Sequence, residues 1–453
     1  MGRRRTTTRR TTTHAAMLGA ALLTVLVTAC GALTPGSAAD PDRPRTVPSS
    51  TAVPEGEGDI TLRLTFADAP AMVDALVAAF HKKLPRITIE PRYTQFADYV
   101  KSIKLTMASD SAPDLAQFAV GMDDIAARGD ILDLAPYRDA YGWRKKFPAA
   151  NLDQLTGSGR RAASGRHLYG VPAGLSMTGI YYNKELARKA GVTRPPRTLA
   201  EFERQLAAVK KAGMTPLGVG ALDSGGLHLW AALVNNAMPP KDYRNWVKGT
   251  AGATVKTRQT LEATRKLREW SRKGYFNESA NGTTQTDTTA QFTRGESVFL
   301  INGNWAAGQL AEAMGKKAGF FLMPGERPGA RAVSSGFSVS YAVSSRTEHP
   351  QAAGAFLDFL GSPEAAKIVS DNGFLPPDEN AVPAPKGVLG EVARAHRRVT
   401  ADDGMNHFPD FTAPNMLDPL RAGVQKLIAG RTTPEAYLDS LQKVWQDRYG
   451  GGK

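Results

Sequence analysis

The sequence predicts an α/β fold divided into two lobes, and three observations carry that reading. Segments that alternate apolar and polar residues are interleaved from residue 59 onward with segments of helical spacing. The 453-residue chain exceeds the roughly 250–300 residues at which a single core stops growing. Beyond residue 195 the elements become mostly helical, with a few short strands among them. With 42% hydrophobic residues and 44 glycines, the composition suits a globular protein and argues against a disordered one.

The first 29 residues read as a signal peptide. MGRRRTTTRRTTTH carries five arginines and no acid, and the apolar run Ala15 to Ala29 follows it. That run is about 15 residues, against the roughly 20 a bilayer-crossing helix needs, so export rather than embedding is expected. Val27-Thr28-Ala29-Cys30 resembles a bacterial lipobox, and Cys30 is the only cysteine in the chain. The resemblance implies cleavage before Cys30 and a diacylglycerol on its sulfur. Two acyl chains suffice for stable anchoring at the outer face of the membrane. Arg9-Arg10 keep the twin-arginine export route open beside the general one, although the residues after them do not complete its pattern. Residues 30–58, rich in Pro, Ser, Gly and Ala without apolar periodicity, are expected to form a disordered tether. The alanine- and arginine-rich text points to a GC-rich Gram-positive host.

DITLRLTFA then alternates like a strand, and APAMVDALVAAFHKKLP shows helical spacing up to a proline. ITIEPRYTQ is the next strand, FADYVKSIKLTMASDSA the next helix, and PDLAQFAV a short buried strand leading into a helix at DDIAARGD. This alternation implies parallel pairing through crossover connections. Further on, LAEFERQLAAVKKAG, the stretch around HLWAALVNNAM, and QTLEATRKLREWSRKG carry apolar residues at three- and four-residue spacing. SVFLING and AGFFLMP read as a strand pair interrupting them, and FSVSYAVS as a third strand. No repeat appears at a period of 20–50 residues.

Four ordered signatures, each weak alone, stand in this frame. They are YGVPAGLSMTGIYYNKEL (Tyr169 to Leu186), FTRGESVFLINGNW (Phe292 to Trp305), GFSVSYAVSSRTEHPQAAGAFLDFLGSPEAAKIV (Gly336 to Val369) and NGFLPP (Asn372 to Pro377). Together, over roughly residues 59 to 445, they resemble the extracellular solute-binding proteins of ABC sugar importers, the group that includes maltodextrin-binding proteins. The resemblance implies a type II periplasmic-binding-protein-like fold with hinge crossings and an interlobe ligand cleft. It puts lobe 1 at 59–174 and 334–372, and lobe 2 at 175–333 and 373–450. It further implies a monomer that binds a mono- or oligosaccharide, closes over it by hinge motion, and delivers it to permease subunits in the membrane. A binding protein of the same build for a non-sugar solute is the nearer alternative, and a secreted carbohydrate-active hydrolase the more distant one.

A sugar site needs flat aromatics for the C–H faces and polar groups for the hydroxyl rim. Trp305 follows Gly303-Asn304 at a strand end and matches the family's stacking tryptophan. Trp230, in DSGGLHLWAALV, reads equally as a ligand platform or a core residue. Asp223, with Ser224, either caps the next helix or accepts hydroxyls. Phe118 ends the strand of PDLAQFAV where relatives place an aromatic on the ligand, with core packing as the rival. Asp123 sits at a helix start, where capping is the favoured reading. Ser176 occupies a crossing position at which maltodextrin binders carry an acid. Phe337 and Phe408 lie in segments that usually face the cleft.

No catalytic residue, metal or cofactor is expected. There is no Gly-x-Ser-x-Gly elbow, phosphate loop or His-Glu-x-x-His helix, and the seven histidines are scattered singly. Losing the signal's five arginines takes the formal net charge from +14 to +9. The remaining basic residues lie beside acids along helices, as in TRKLREWSRK, which argues for solvated faces and against nucleic acid.

Overall fold

The computed structural model describes residues 45–54, 58–118, 122–156, 167–413 and 415–450. The signal peptide, Cys30 and most of the tether lie outside the described residues.

Two sheets organise the chain. The first has five strands in the order β2 (Ile87–Tyr93), β1 (Ile60–Phe66), β3 (Leu115–Phe118), β10 (Ser338–Val343), β4 (Val171–Leu175). Here β1 runs parallel to both β2 and β3, as strand-helix alternation requires, whereas β10 is antiparallel to β3 and β4. The second sheet has the order β6 (Leu217–Gly218), β7 (Phe299–Gly303), β5 (Thr178–Asn183), β8 (Ala318–Phe321). The segments SVFLING and AGFFLMP, expected to pair with each other, instead flank β5, which is antiparallel to both. Local pattern signals a strand but not its partner, and β5 lies over a hundred residues earlier in the chain. A short parallel pair, β9 (Ser334–Ser335) with β11 (Met405–Asn406), completes the β structure.

Each sheet is packed by its own helices. Beneath the first sheet Phe80 meets Phe356 edge-on and Phe359 at a tilt. In the core of the second, Phe202 meets Trp270, Phe299 and Phe321 edge-on. Helix starts follow the sequence rule for hydroxyl caps: Thr198, Thr257, Ser362 and Thr433 each accept a backbone N–H three residues on. No described helix is long and apolar enough to cross a membrane.

The described part of the expected tether is held in place. Arg45–Pro54 is not loose: Thr46 bridges Asp133, Val47 N–H donates to Asp133 O at 3.1 Å, and Val47 is buried in the core of the first sheet. A single valine gives no periodicity to read, yet its burial and two backbone hydrogen bonds hold the segment down.

The chain passes between the sheets three times, and the passages are laced to one another. Ser176 Oγ donates to Phe337 O at 3.0 Å and accepts Phe337 N–H at 3.1 Å. Leu175 and Leu375 form a bridge. Asn304 ties all this to the end of β7: its Oδ1 accepts Met177 N–H at 2.8 Å, and its Nδ2 donates to Leu175 O and Gly373 O.

Candidate functional site

Where the two sheets face each other, a cleft of about 270 Å³ opens. From the first sheet it is walled by Ala67 and Asp68, just past β1, and by Tyr93 and Phe96. The second contributes Asp223, Ser224, Leu227, His228, Gln285, Thr289, Asn302 and Trp305, with Phe337 from a crossing and Phe408, Asp410 and Phe411 from the segment after β11.

Trp305 sits in the 3-10 turn Asn304–Ala306 that ends β7. Its indole lies against Gly303, where an added Cβ would come within 2.1 Å of the ring, so only glycine lets it rest there. His228 lies 5.3 Å from the rings of both Trp305 and Phe408, and Phe337 lies 5.8 Å from both Phe408 and Phe411. These tilted and edge-on contacts lock an aromatic wall along one side of the cleft.

Behind the wall runs a polar network. Gln285 Nε2 donates to Asn302 Oδ1 at 2.6 Å, and Asn302 Nδ2 to Thr289 Oγ1 at 2.8 Å. Asp223 Oδ1 accepts the backbone N–H of Ser224 and Gln285, at 2.6 and 2.9 Å, and thereby fixes the start of the helix Gln285–Thr293. Burial raises the Asp223 carboxyl while these N–H groups and Arg421 pull it back. His228 is 7% exposed, and its Nδ1 has no partner among the described residues. Burial pushes its pKa down to about 4, with a hydrogen bond that the ring donates to the Gln285 side chain opposing, so the ring is neutral at physiological pH.

Two further carboxylates complete the site. Asp68 is half-buried; Gln117 Nε2 donates to its Oδ2 at 2.8 Å, while Gln117 Oε1 accepts the N–H of Ala67 and Asp68. Asp410, in the 3-10 turn Pro409–Thr412, is 6% exposed. Burial pushes both up to about 6, and no basic group stands among the causes acting on either.

Trp305, Asp223, Phe337 and Phe408 therefore share one cleft, whereas three other candidates lie elsewhere. Trp230 is fully buried in the second core, its Nε1 donating to Thr264 Oγ1 at 3.0 Å. In the helix Gly225–Ala237, two residues span about 200°. His228 therefore takes the cleft face and Trp230 the core face. Phe118 is buried among Tyr99, Ile103 and Ile125. Ser176 has its hydroxyl used in both directions by Phe337 backbone, which makes it a clasp between crossings. Asp123 belongs to the short helix Met122–Ala127, and its side chain lies outside the described residues. The sequence reading missed Asp68, His228, Gln285, Asn302 and Asp410. Asp68 lies just past the buried strand β1 and Asn302 near the end of β7, a placement that marks Trp305 as well; Asp410 stands in a short 3-10 turn with no local signal.

A family model for bacterial extracellular solute-binding proteins matches residues 65–367, and the chain belongs to that family. It is 24% identical over 453 aligned residues to an uncharacterized ABC transporter extracellular-binding protein of Pyrococcus horikoshii, covering 94% of this chain and 90% of that one. A putative binding protein of Brucella abortus is 26% identical over 215 residues, 46% of this chain; the match spans half of that relative's length. Among solved structures, a chitin oligosaccharide binding protein superposes with a TM-score of 0.74 at 22% identity, over 87% of this chain and all of the other. The fold is thus the two-lobed type II arrangement.

Proposed function

We propose that this protein captures a mono- or oligosaccharide in the cleft between its lobes and delivers it to the permease subunits of an ABC importer. It would be held at the outer face of the membrane by lipid on Cys30, and it would not turn its ligand over. The observation that carries this is the pairing, in one cleft, of the wall of Trp305, Phe337 and Phe408 with lining polar groups such as Asp68, Ser224 and Gln309, backed by the Gln285–Asn302–Thr289 network. Rings present apolar faces to the first and hydroxyls to the second. The names of the Pyrococcus relative and of the chitin oligosaccharide binding protein support the same reading. Lobe 1 at 59–174 and 334–372 and lobe 2 at 175–333 and 373–450 would close by bending at the laced crossings.

A thermal-shift screen of the purified chain against mono- and oligosaccharides tests this. A ligand-dependent rise in melting temperature without product release is expected. Trp305→Ala should weaken the best ligand by about tenfold or more, equivalent to roughly 1.4 kcal/mol. Release of shorter sugars on incubation, or full affinity in the tryptophan variant, would overturn the assignment.

A further inference from the structure

The charges in the cleft are one-sided. Among the described lining residues the aspartates are Asp68, Asp223 and Asp410, and the one histidine, His228, is buried and neutral. Among the described lining residues there is no lysine or arginine. Asp223 is compensated: two backbone N–H groups bind its Oδ1, and Arg421 lies behind it, donating from Nε to Asp223 O at 3.0 Å. Asp410 is not. It is more than nine-tenths buried, and no other residue donates a hydrogen bond to its carboxylate among those described. Asp68 accepts a single amide hydrogen bond and has no cation beside it.

Burying a carboxylate without a compensating charge is costly, and one cavity holds Asp410 buried and Asp68 half-buried. A metal ion does not answer the need, because no group of three His, Cys, Asp or Glu residues among those described could hold one. The neighbours of these carboxylates are aromatic: Tyr93 and Phe96 on one side, Trp305, Phe337, Phe408 and Phe411 on the other. Aromatic faces attract an organic cation, and carboxylates bind its N–H groups through charge-assisted hydrogen bonds.

Resting on the sugar-binding reading above, we infer that the ligand is an amino sugar or basic glycoside whose protonated amine is held by Asp410, with Asp68 facing it from the other lobe. Its rings lie along the aromatic wall and its hydroxyls meet the other polar groups that line the cleft, such as Ser224 and Gln309. The same charge pattern excludes phosphorylated sugars and uronic acids, which would bring a second anion to uncompensated carboxylates.

The test is calorimetric titration, at slightly below neutral pH, with matched triplets in which one position carries an amine, an acetamide or a hydroxyl. Glucosamine, galactosamine and short β-1,4-linked glucosamine oligomers each supply such a triplet. In at least one triplet the amine should bind about tenfold or more tighter than both counterparts. Asp410→Asn should abolish that preference while raising the melting temperature of the free protein, since the variant removes an unpaired buried charge; Asp68→Asn should shrink the preference. Acetamide or hydroxyl members binding as tightly as the amine, or a preference that survives Asp410→Asn, would overturn this inference and leave the sugar reading standing. A panel in which no member binds would overturn both.

Discussion

At the scale of single residues, the cleft depends on which face of an element a side chain takes. Trp305 reaches the ligand space because residue 303 is glycine. Gly303→Ala would place a methyl group inside the indole and swing it away. We expect this variant to lose about tenfold or more in sugar affinity, with about 1–3 kcal/mol of overpacking cost. Titration beside a urea melt checks both numbers. Trp230 should behave in the opposite sense. Buried against Tyr437 and bonded to Thr264, it should cost about 3–5 kcal/mol when changed to alanine, with affinity kept in whatever protein remains folded at low temperature. An affinity loss at full occupancy of the folded state would contradict the core assignment. These two tryptophans also show what the sequence made legible. Trp305 was readable because a strand end projects its next residues into a cleft. Trp230 was ambiguous because a helix offers two faces, and only packing decides which is wet. Asp410 is unreadable, since a single 3-10 turn is too short to show a period from which burial can be inferred.

At the scale of elements, the alternation of strand and helix specified β1 to β3 and their parallel pairing, because the crossover helices lie between them in the chain. It did not specify β5 between β7 and β8, a pairing fixed by contacts far apart in sequence. The segment Arg45–Pro54 teaches a related lesson. Its composition is that of a linker, but Val47 inserts into the first core and the backbone pairs with Asp133, whose N–H donates to Arg45 O at 2.7 Å. The Asp133 carboxylate in turn receives the N–H of Ala135 and Leu168, both at 2.9 Å, so the segment is fastened to a residue that already organises two loops. Val47→Ser should therefore cost about 1.5–3 kcal/mol, the value of burying one such side chain, and leave sugar affinity unchanged. The urea midpoint reads the first effect and titration the second. A midpoint equal to that of the unaltered protein would mean the segment does not contribute to the folded lobe.

At the scale of the whole molecule, the buried titratable groups set opposing pH dependences. The ligand space holds Asp68 and Asp410, raised to about 6, and His228, lowered to about 4; His407, also lowered to about 4, stacks on Phe411. For the carboxylates the folded state keeps its protons to higher pH than the unfolded chain. Between their ordinary value of 3.8 and about 6, stability therefore falls as pH rises. For the histidines the unfolded chain takes protons first, so between about 4 and 6.5 stability rises with pH. The windows overlap with opposite sign, and the ligand-free protein should show a shallow melting profile between pH 4 and 6.5. Asp68, half open to the cleft, weighs less than Asp410 in this balance. Removing one member should expose the other pair. Asp410→Asn should melt with the unaltered protein near pH 4, where Asp410 is already protonated and uncharged, and progressively above it as pH rises through 6. Calorimetric scans of both proteins across this range read the difference directly. A stabilisation of equal size at all pH values would show that the carboxylate is not held uncompensated in the cleft.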